Sequence, residues 1–400
     1  MTTYKRPVAD ARGASKLVID AVTGVTNIVE DMHRHIGGVA PIVGTVPAGR
    51  TRGLTGLVYR SVRGVTRAVG IGLDAALLRL MPFVEDQESS PRREAILAAV
   101  NGVLGDYLED TGNPLAITMQ LRCNGHPLTL TRAGLAAQLP DASDKILIFV
   151  HGLCMNDLQW TRDGHNHGAA LARDVGYTAV HLHYNTGRNI AANGRAFAEQ
   201  LEALFQSWPI PAQSVTIIGH SMGGLVARSA CLDAEQRGHA WRRKLGAVVF
   251  LGTPHFGAPL ERAGHGIDFL LEVSPYSAPF ARLGKIRSAG IQDLRHGKFV
   301  EHETTLPKGA IQAVPMPEGV RCFAIAASIQ VKSSVLGKSM RGDGLVPVES
   351  ALGRHPDVKR TLAIPASHQA ICFGLNHFDL LGSTAVYAHL NRWLKPASTR

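Results

Sequence analysis

Apolar positions in the first hundred residues recur at helical spacing. Val18, Val22, Val25, Val29, Met32 and Ile36 follow at steps of three and four, which predicts a helix with a narrow apolar stripe, ended by Gly37 and Gly38. A second stripe runs through Leu54, Val58, Val62, Val65, Val69, Leu73, Ala76 and Leu80 until Pro82 stops it, with Arg60, Arg63 and Arg67 clustered away from it. The polar run 83–94, containing Ser89-Ser90-Pro91, reads as a linker or a helix start. A third helix then carries Ile96, Leu97, Val100, Leu104, Tyr107 and Leu108 on one side, and Gly112, Asn113 and Pro114 terminate it.

Beyond Pro114 the period becomes that of strands. LAITMQLR and PLTLT flank Cys123-Asn124-Gly125-His126, and Asn-Gly between two strand-like runs predicts a hairpin. The expected strands that follow are KILIFV, TAVHLHY, SVTIIGH, GAVVFLG, VRCFAIA and RTLAIPA, with helices beginning near Ala191, Met222 and Ser383. A hairpin leading into buried β-α repeats predicts an α/β fold, a mostly parallel central sheet with helices on both faces. No internal repeat of fixed period is visible. The expected organisation is a helical N-terminal extension over residues 1–110 and a catalytic domain over 111–400. About 70 residues separate Gly252 from the strand at Val320, longer than an ordinary β-α connection, so a cap-like insertion is expected at about 256–318. Phe256, Leu260, Ile267, Phe269, Leu270, Leu271, Val273, Tyr276 and Phe280 supply apolar surface there, for an acyl pocket or for ordinary helix packing.

The chemistry concentrates where SVTIIGH runs into Gly219-His220-Ser221-Met222-Gly223 and a helical pattern starts at once. Strand, sharp turn and helix together make a nucleophile elbow: Ser221 stands clear of the sheet on a tight turn, and Gly219 and Gly223 avoid collision with neighbouring backbone. The turn also leaves the N–H of Met222 at a helix start, free to bind an oxyanion. A second donor is expected from the loop after an earlier strand, where His151-Gly152-Leu153-Cys154 follows ILIFV; Gly152 permits close approach and the Leu153 N–H is the candidate. A second nucleophile has no use, so no catalytic role is assigned to Cys154.

A general base and an acid that orients it should follow in the order Ser, Asp or Glu, His. Asp343, between Gly342 and Gly344 after the strand VRCFAIA, suits the orienting acid, with Glu349 as the alternative. Two histidines follow RTLAIPA. His377 is favoured as base because Asn376-His377-Phe378-Asp379-Leu380-Leu381 leads into the last helix, and His368 is the alternative.

The GHSMGG elbow, the FVHG loop, LGTPHFGAP, GDGLVP and NHFDLL together resemble the lipase and esterase branch of the α/β-hydrolases, which includes bacterial triacylglycerol lipases and related deacylases. The resemblance covers roughly residues 115–395. It implies hydrolysis of carboxylic esters through an acyl-enzyme intermediate, without a cofactor. A thioesterase, an amidase or an intracellular polyester depolymerase would use the same residues. A lipid-surface or granule-binding protein with an incidental hydrolase core is the alternative of another class.

Charge and cysteine content narrow the partners. The net charge is +10, and Arg50, Arg52, Arg60, Arg63, Arg67 and Arg79 against Asp74 supply about half of it between Arg50 and Met81. Tyr59 is the one aromatic residue among these arginines and no nucleic-acid motif accompanies them, so nucleic acid is not the expected partner. Packing of the N-terminal helices on each other, on the core or on a second subunit is favoured over peripheral contact with anionic lipid, because the stripes are rich in Val and Gly and lack Trp or Phe anchors. The five cysteines are odd in number, widely spaced and free of C-x-x-C, against a disulfide framework or a cysteine zinc site. His165 and His167 are too few ligands for zinc. The opening residues lack the apolar run of a secretory signal, and Asp74 and Pro254 interrupt the longest apolar stretches. A soluble, cytoplasmic protein acting on a small-molecule or lipid ester is therefore expected.

Overall fold

The computed structural model describes residues 91–257, 288–300, 314–331 and 341–395, together with Gly13 and Lys16. Both N-terminal stripes and, within the insertion, residues 258–287 and 301–313 lie outside the described residues. The chain divides into two compact units, residues 1–90 with 108–116, and 91–107 with 117–400. In the first unit, the end of the third predicted helix is a turn with Gly112 at φ +58° and the Asn113 side chain accepting the N–H of Leu115 at 2.9 Å. That helix, α1, spans Pro91–Asp110. Proline opens it because the first helical N–H has no intrahelical partner to lose.

The second unit is built on one sheet. Its strands are β1 (Gln120–Cys123), β2 (His126–Pro127), β3 (Lys145–Val150), β6 (Thr178–His183), β7 (Ser214–His220), β8 (Leu245–Leu251), β9 (Arg321–Ser328) and β10 (Gln369–Phe373); β4 (Thr161–Arg162) and β5 (His165–Asn166) pair separately. The order across the sheet is β10-β9-β8-β7-β3-β6-β1-β2. The strands from β10 to β6 are parallel, and β1 joins them antiparallel with Arg122 opposite His181. The predicted Asn-Gly hairpin links β1 and β2, with Asn124 at φ 50° and Gly125 at φ 80°.

The other helices used below are α2 (Arg132–Gln138), α3 (His167–Val175), α4 (Ile190–Ser207), α5 (Met222–Arg237), α6 (Ala289–His296), α7 (Val348–Ala351) and α8 (Thr384–Leu394). Successive residues of a strand point to opposite faces, and each face has its own core. Ile148, Ile217 and Phe250 pack with Phe197 of α4 and Leu225 of α5. Phe149, Ile218 and Val249 pack with Leu171 of α3 and Leu390 of α8 on the opposite face. The mostly parallel sheet with helices on both faces is therefore present as expected.

The last strand differs from its prediction. RTLAIPA is not a strand; Leu362 and Ile364 are buried anchors of a loop, and Pro365 lacks the N–H that a ladder would need. The strand is instead 369–373, with Ala370 and Cys372 buried. Among the described residues no helix is long and apolar enough to cross a membrane.

Several histidines are buried uncharged, which sets the response to acid. Burial lowers His151 to about 3 and His167 to about 4, and lowers His220 and His255 well below their ordinary value of 6.5. Below about pH 6.5 the unfolded chain binds these protons and the folded chain does not. Stability therefore falls on acidification toward about pH 4, by up to about 1.4 kcal/mol per pH unit for each histidine. Thermal melts should show a steady Tm above about pH 7 and a steep fall between about pH 6 and 4. A flat profile to pH 4 would mean that these rings do not stay neutral.

Candidate active site

Ser221 joins β7 to α5 with φ 53° and ψ −126°, a conformation that side chains rarely adopt. The backbone around it holds it there: its N–H donates to the Leu251 carbonyl at 2.9 Å, and its carbonyl accepts from the Gly224 N–H at 3.1 Å. The neighbouring glycines are sterically required. A Cβ at Gly223 would stand 2.2 Å from the Val150 carbonyl oxygen, and one at Gly219 would stand 2.6 Å from Gly224 Cα.

Asp343 and His377 come together although their loops are far apart in sequence. His377 Nδ1 lies 2.7 Å from Asp343 Oδ2, and the His377 N–H donates to the Asp343 carbonyl at 3.1 Å. The other carboxylate oxygen, Oδ1, accepts the N–H groups of Leu345 and Val346 at 2.9 and 2.8 Å. A carboxylate can only accept, so Nδ1 carries the ring proton and Nε2 is left as a lone-pair acceptor. That Nε2 is buried and has no hydrogen-bond partner among the described residues.

Contacts from Ser221's own turn reach the same histidine. The His220 ring lies 4.6 Å from the His377 ring, and His220 Nε2 donates to the His377 carbonyl at 3.1 Å. Gly252, at φ 57°, permits the approach from β8, since a Cβ there would stand 3.2 Å from both Asp343 Oδ2 and His377 Cε1.

The loop after β3 adjoins the serine, because a Cβ at Gly152 would stand 3.0 Å from Ser221 Cβ. Leu153 and Met222, which carry the expected oxyanion donors, are both buried. Met222 is the first residue of α5, so its N–H has no intrahelical acceptor. The Tyr184 hydroxyl donates to the His151 carbonyl at 2.8 Å, and the His151 ring stacks on Tyr184 at 4.5 Å. The Thr186 hydroxyl accepts the Cys154 N–H at 3.1 Å. Three residues further, Asp157 Oδ1 meets Arg122 Nη1 and His183 Nδ1, each at 3.1 Å, and Arg122 also reaches Glu94 at 3.0 Å. Burial would raise the Asp157 carboxyl, but the His183 bond and the Arg122 charge hold it at about 2.

The alternatives lie elsewhere. His368 Nδ1 donates to the Cys322 carbonyl at 3.1 Å and its ring packs on Phe323 at 4.2 Å. Glu349 is exposed and faces Arg354 at 3.7 Å. Burial pushes the Cys154 thiol up to about 12, so it stays protonated near neutral pH. His165 and His167 bond each other at 3.0 Å, and His167 Nε2 donates to the Leu380 carbonyl at 3.0 Å, just past His377. Among the described residues no cluster of three or more His, Cys, Asp or Glu side chains is arranged to hold a metal. Tyr184, Thr186 and Arg122 shape the site without any motif to mark them, and Gly252 stands in LGTPHFGAP without having been assigned a part in it. Tyr184-Asn185-Thr186 does leave the carboxyl end of β6, and a polar run in that position is the signal that would have found them.

The chain has the α/β-hydrolase fold, as the sheet order and the elbow after β7 show. Residues 141–331 match the family described as PGAP1-like alpha/beta domain. No curated protein matches the chain. Among solved structures, the mature lipase of Bacillus licheniformis is 18% identical with a TM-score of 0.43, over 70% of this chain and 98% of that one. A lipase-esterase related protein of Clostridium acetobutylicum is 16% identical with a TM-score of 0.34, over 64% and 94%. The RedJ thioesterase of Streptomyces coelicolor is 16% identical with a TM-score of 0.35, over 63% and 91%.

Proposed function

We propose that the protein is a serine hydrolase that cleaves carboxylic esters through an acyl-enzyme intermediate, as a carboxylesterase or lipase. The observation that carries this reading is the 2.7 Å pairing of His377 Nδ1 with Asp343, which leaves Nε2 free beside the strained elbow of Ser221. In this reading Nε2 takes the Ser221 proton as Oγ attacks the ester carbonyl, and Asp343 stabilises the imidazolium that forms. The N–H groups of Leu153 and Met222 bind the oxyanion. His377 protonates the departing alcohol, and a water molecule then repeats the sequence to release the acid.

Which bond is cut depends on the shape of the surroundings of Ser221. A fluorophosphonate probe tests the nucleophile, and the expected product is a single adduct on the peptide carrying Ser221. A panel of p-nitrophenyl esters of rising acyl length, run beside matched thioesters and amides, tests the bond, with esters expected to turn over fastest. No adduct at Ser221, or turnover of thioesters or amides above that of every ester, would overturn the corresponding half of the proposal.

A further inference from the structure

We propose that helix α1, which lies outside the family-matched segment, is part of the hydrolase site: Gly102 seats Cys154 and so aims the Leu153 N–H at the oxyanion. This rests on the reading of Leu153 as an oxyanion donor. The loop's conformation is the starting point. Cys154 has φ 58°, in the region that glycine favours, yet it carries a side chain. Such a residue persists only where its surroundings over-determine it.

Those surroundings are α1 and the loop after β6. The Cys154 N–H is held by Thr186 Oγ1 at 3.1 Å. The other side of Cys154 rests on the bare backbone at Gly102, where a Cβ would stand 2.2 Å from Sγ, 3.0 Å from Cα and 3.1 Å from N. A displacement of Cys154 passes one residue back to Leu153, whose other neighbour, Gly152, is packed against Ser221.

The helix is itself fixed within this unit. Asn185 Nδ2 donates to the Gly105 carbonyl at 2.8 Å, Ser288 Oγ donates to the Gly102 carbonyl at 2.6 Å, and the Ala289 N–H that opens α6 donates to Asp106 at 2.7 Å. At its start, Glu94 shares Arg122 with Asp157, which lies in the same loop as Cys154. Glycine disfavours a helix interior, so the close approach gives a physical reason for Gly102 where alanine would serve the helix better. Gly102 is a positioning residue, one layer behind the reacting atoms.

The test uses the full-length chain. In Gly102→Ala the new methyl displaces Cys154 Sγ, and kcat and kcat/KM should fall together by about tenfold to a hundredfold, because the lost interaction exists only once the oxyanion forms. Cys154→Ala in the same chain removes Sγ, and should return kcat to within about threefold of wild type by opening the space the methyl needs. Thr186→Val, which removes only the acceptor of the Cys154 N–H, should lower kcat and kcat/KM in the same proportion, and it tests the idea even where Gly102→Ala fails to fold. A folded Gly102→Ala enzyme with wild-type kcat overturns the inference, as does a loss that Cys154→Ala does not reverse, or full turnover in Thr186→Val. These outcomes are read against Ser221 labelling. Labelled, Ser221-dependent activity that ignores Gly102 and Thr186 refutes only the positioning role, whereas activity independent of Ser221 refutes the reading beneath it.

Discussion

Ser221→Ala is expected to remove at least about a thousandfold of ester turnover while leaving the melting temperature nearly unchanged. The size of the loss follows from the absence of a substitute nucleophile. Cys154 is the thiol on the adjoining loop, but burial pushes it up to about 12. The fold should survive because the serine hydroxyl makes no cap bond to α5. The elbow's own bonds, from the Ser221 N–H to Leu251 and from Gly224 to the Ser221 carbonyl, belong to the backbone. Alanine at φ 53° is as strained as serine, so the cost already present in the wild type is not increased. Turnover by the purified variant above about a thousandth of wild type would show that Ser221 is not the nucleophile. A wild-type protein that neither reacts with the phosphonate nor cleaves any ester would favour the alternative in which the hydrolase core is incidental.

The strands closest to their predictions are those buried on both faces. KILIFV and SVTIIGH coincide with β3 and β7, the strands at the centre of the sheet, where every position but the first is buried. β10 escaped because it lies at the edge with one neighbour, and its burial alternates along QAICF rather than filling the run. The more strongly apolar LAI nearby misled the pattern, since its leucine and isoleucine are buried in a loop. The link from α1 to the site was illegible for another reason. Its approach is defined by missing side chains at Gly102, against Cys154, and Gly105, against Asn185, and glycine in a helical run reads as a weak helix, not as a contact.

Moving the last strand also explains why one histidine of the two is suited to the site. In a parallel sheet the carboxyl ends of the strands share one edge, and functional loops gather there. β10 begins at Gln369 and ends at Phe373, so His368 precedes the strand and His377 follows it. Ser221 follows β7, Gly252 follows β8 and Asp343 follows β9, all at the edge where His377 lies and His368 does not. In the sequence both histidines follow the same predicted strand, and only the helix after His377 distinguishes them.

His377→Ala should therefore cost as much turnover as Ser221→Ala, and the double variant should be no worse than either, because groups that act as a unit are not additive. Asp343→Asn should lower kcat by about ten-thousandfold, since an amide in place of Oδ2 favours the tautomer with the proton on the wrong nitrogen. The Oδ1 side of that residue, with its bonds from Leu345 and Val346, can be kept by the amide oxygen, so the variant separates tautomer from loop folding. His368→Ala removes a bond to the Cys322 carbonyl and a ring contact with Phe323, and should lower the melting temperature while kcat stays within about threefold. Steady-state kinetics with one p-nitrophenyl ester, run on the five variants with their melting temperatures, distinguishes the cases. A His368→Ala enzyme more crippled than His377→Ala would reverse the assignment of the base. Near-normal turnover in Asp343→Asn would move the orienting role to another acid, and Glu349, exposed beside Arg354, would be the first to mutate.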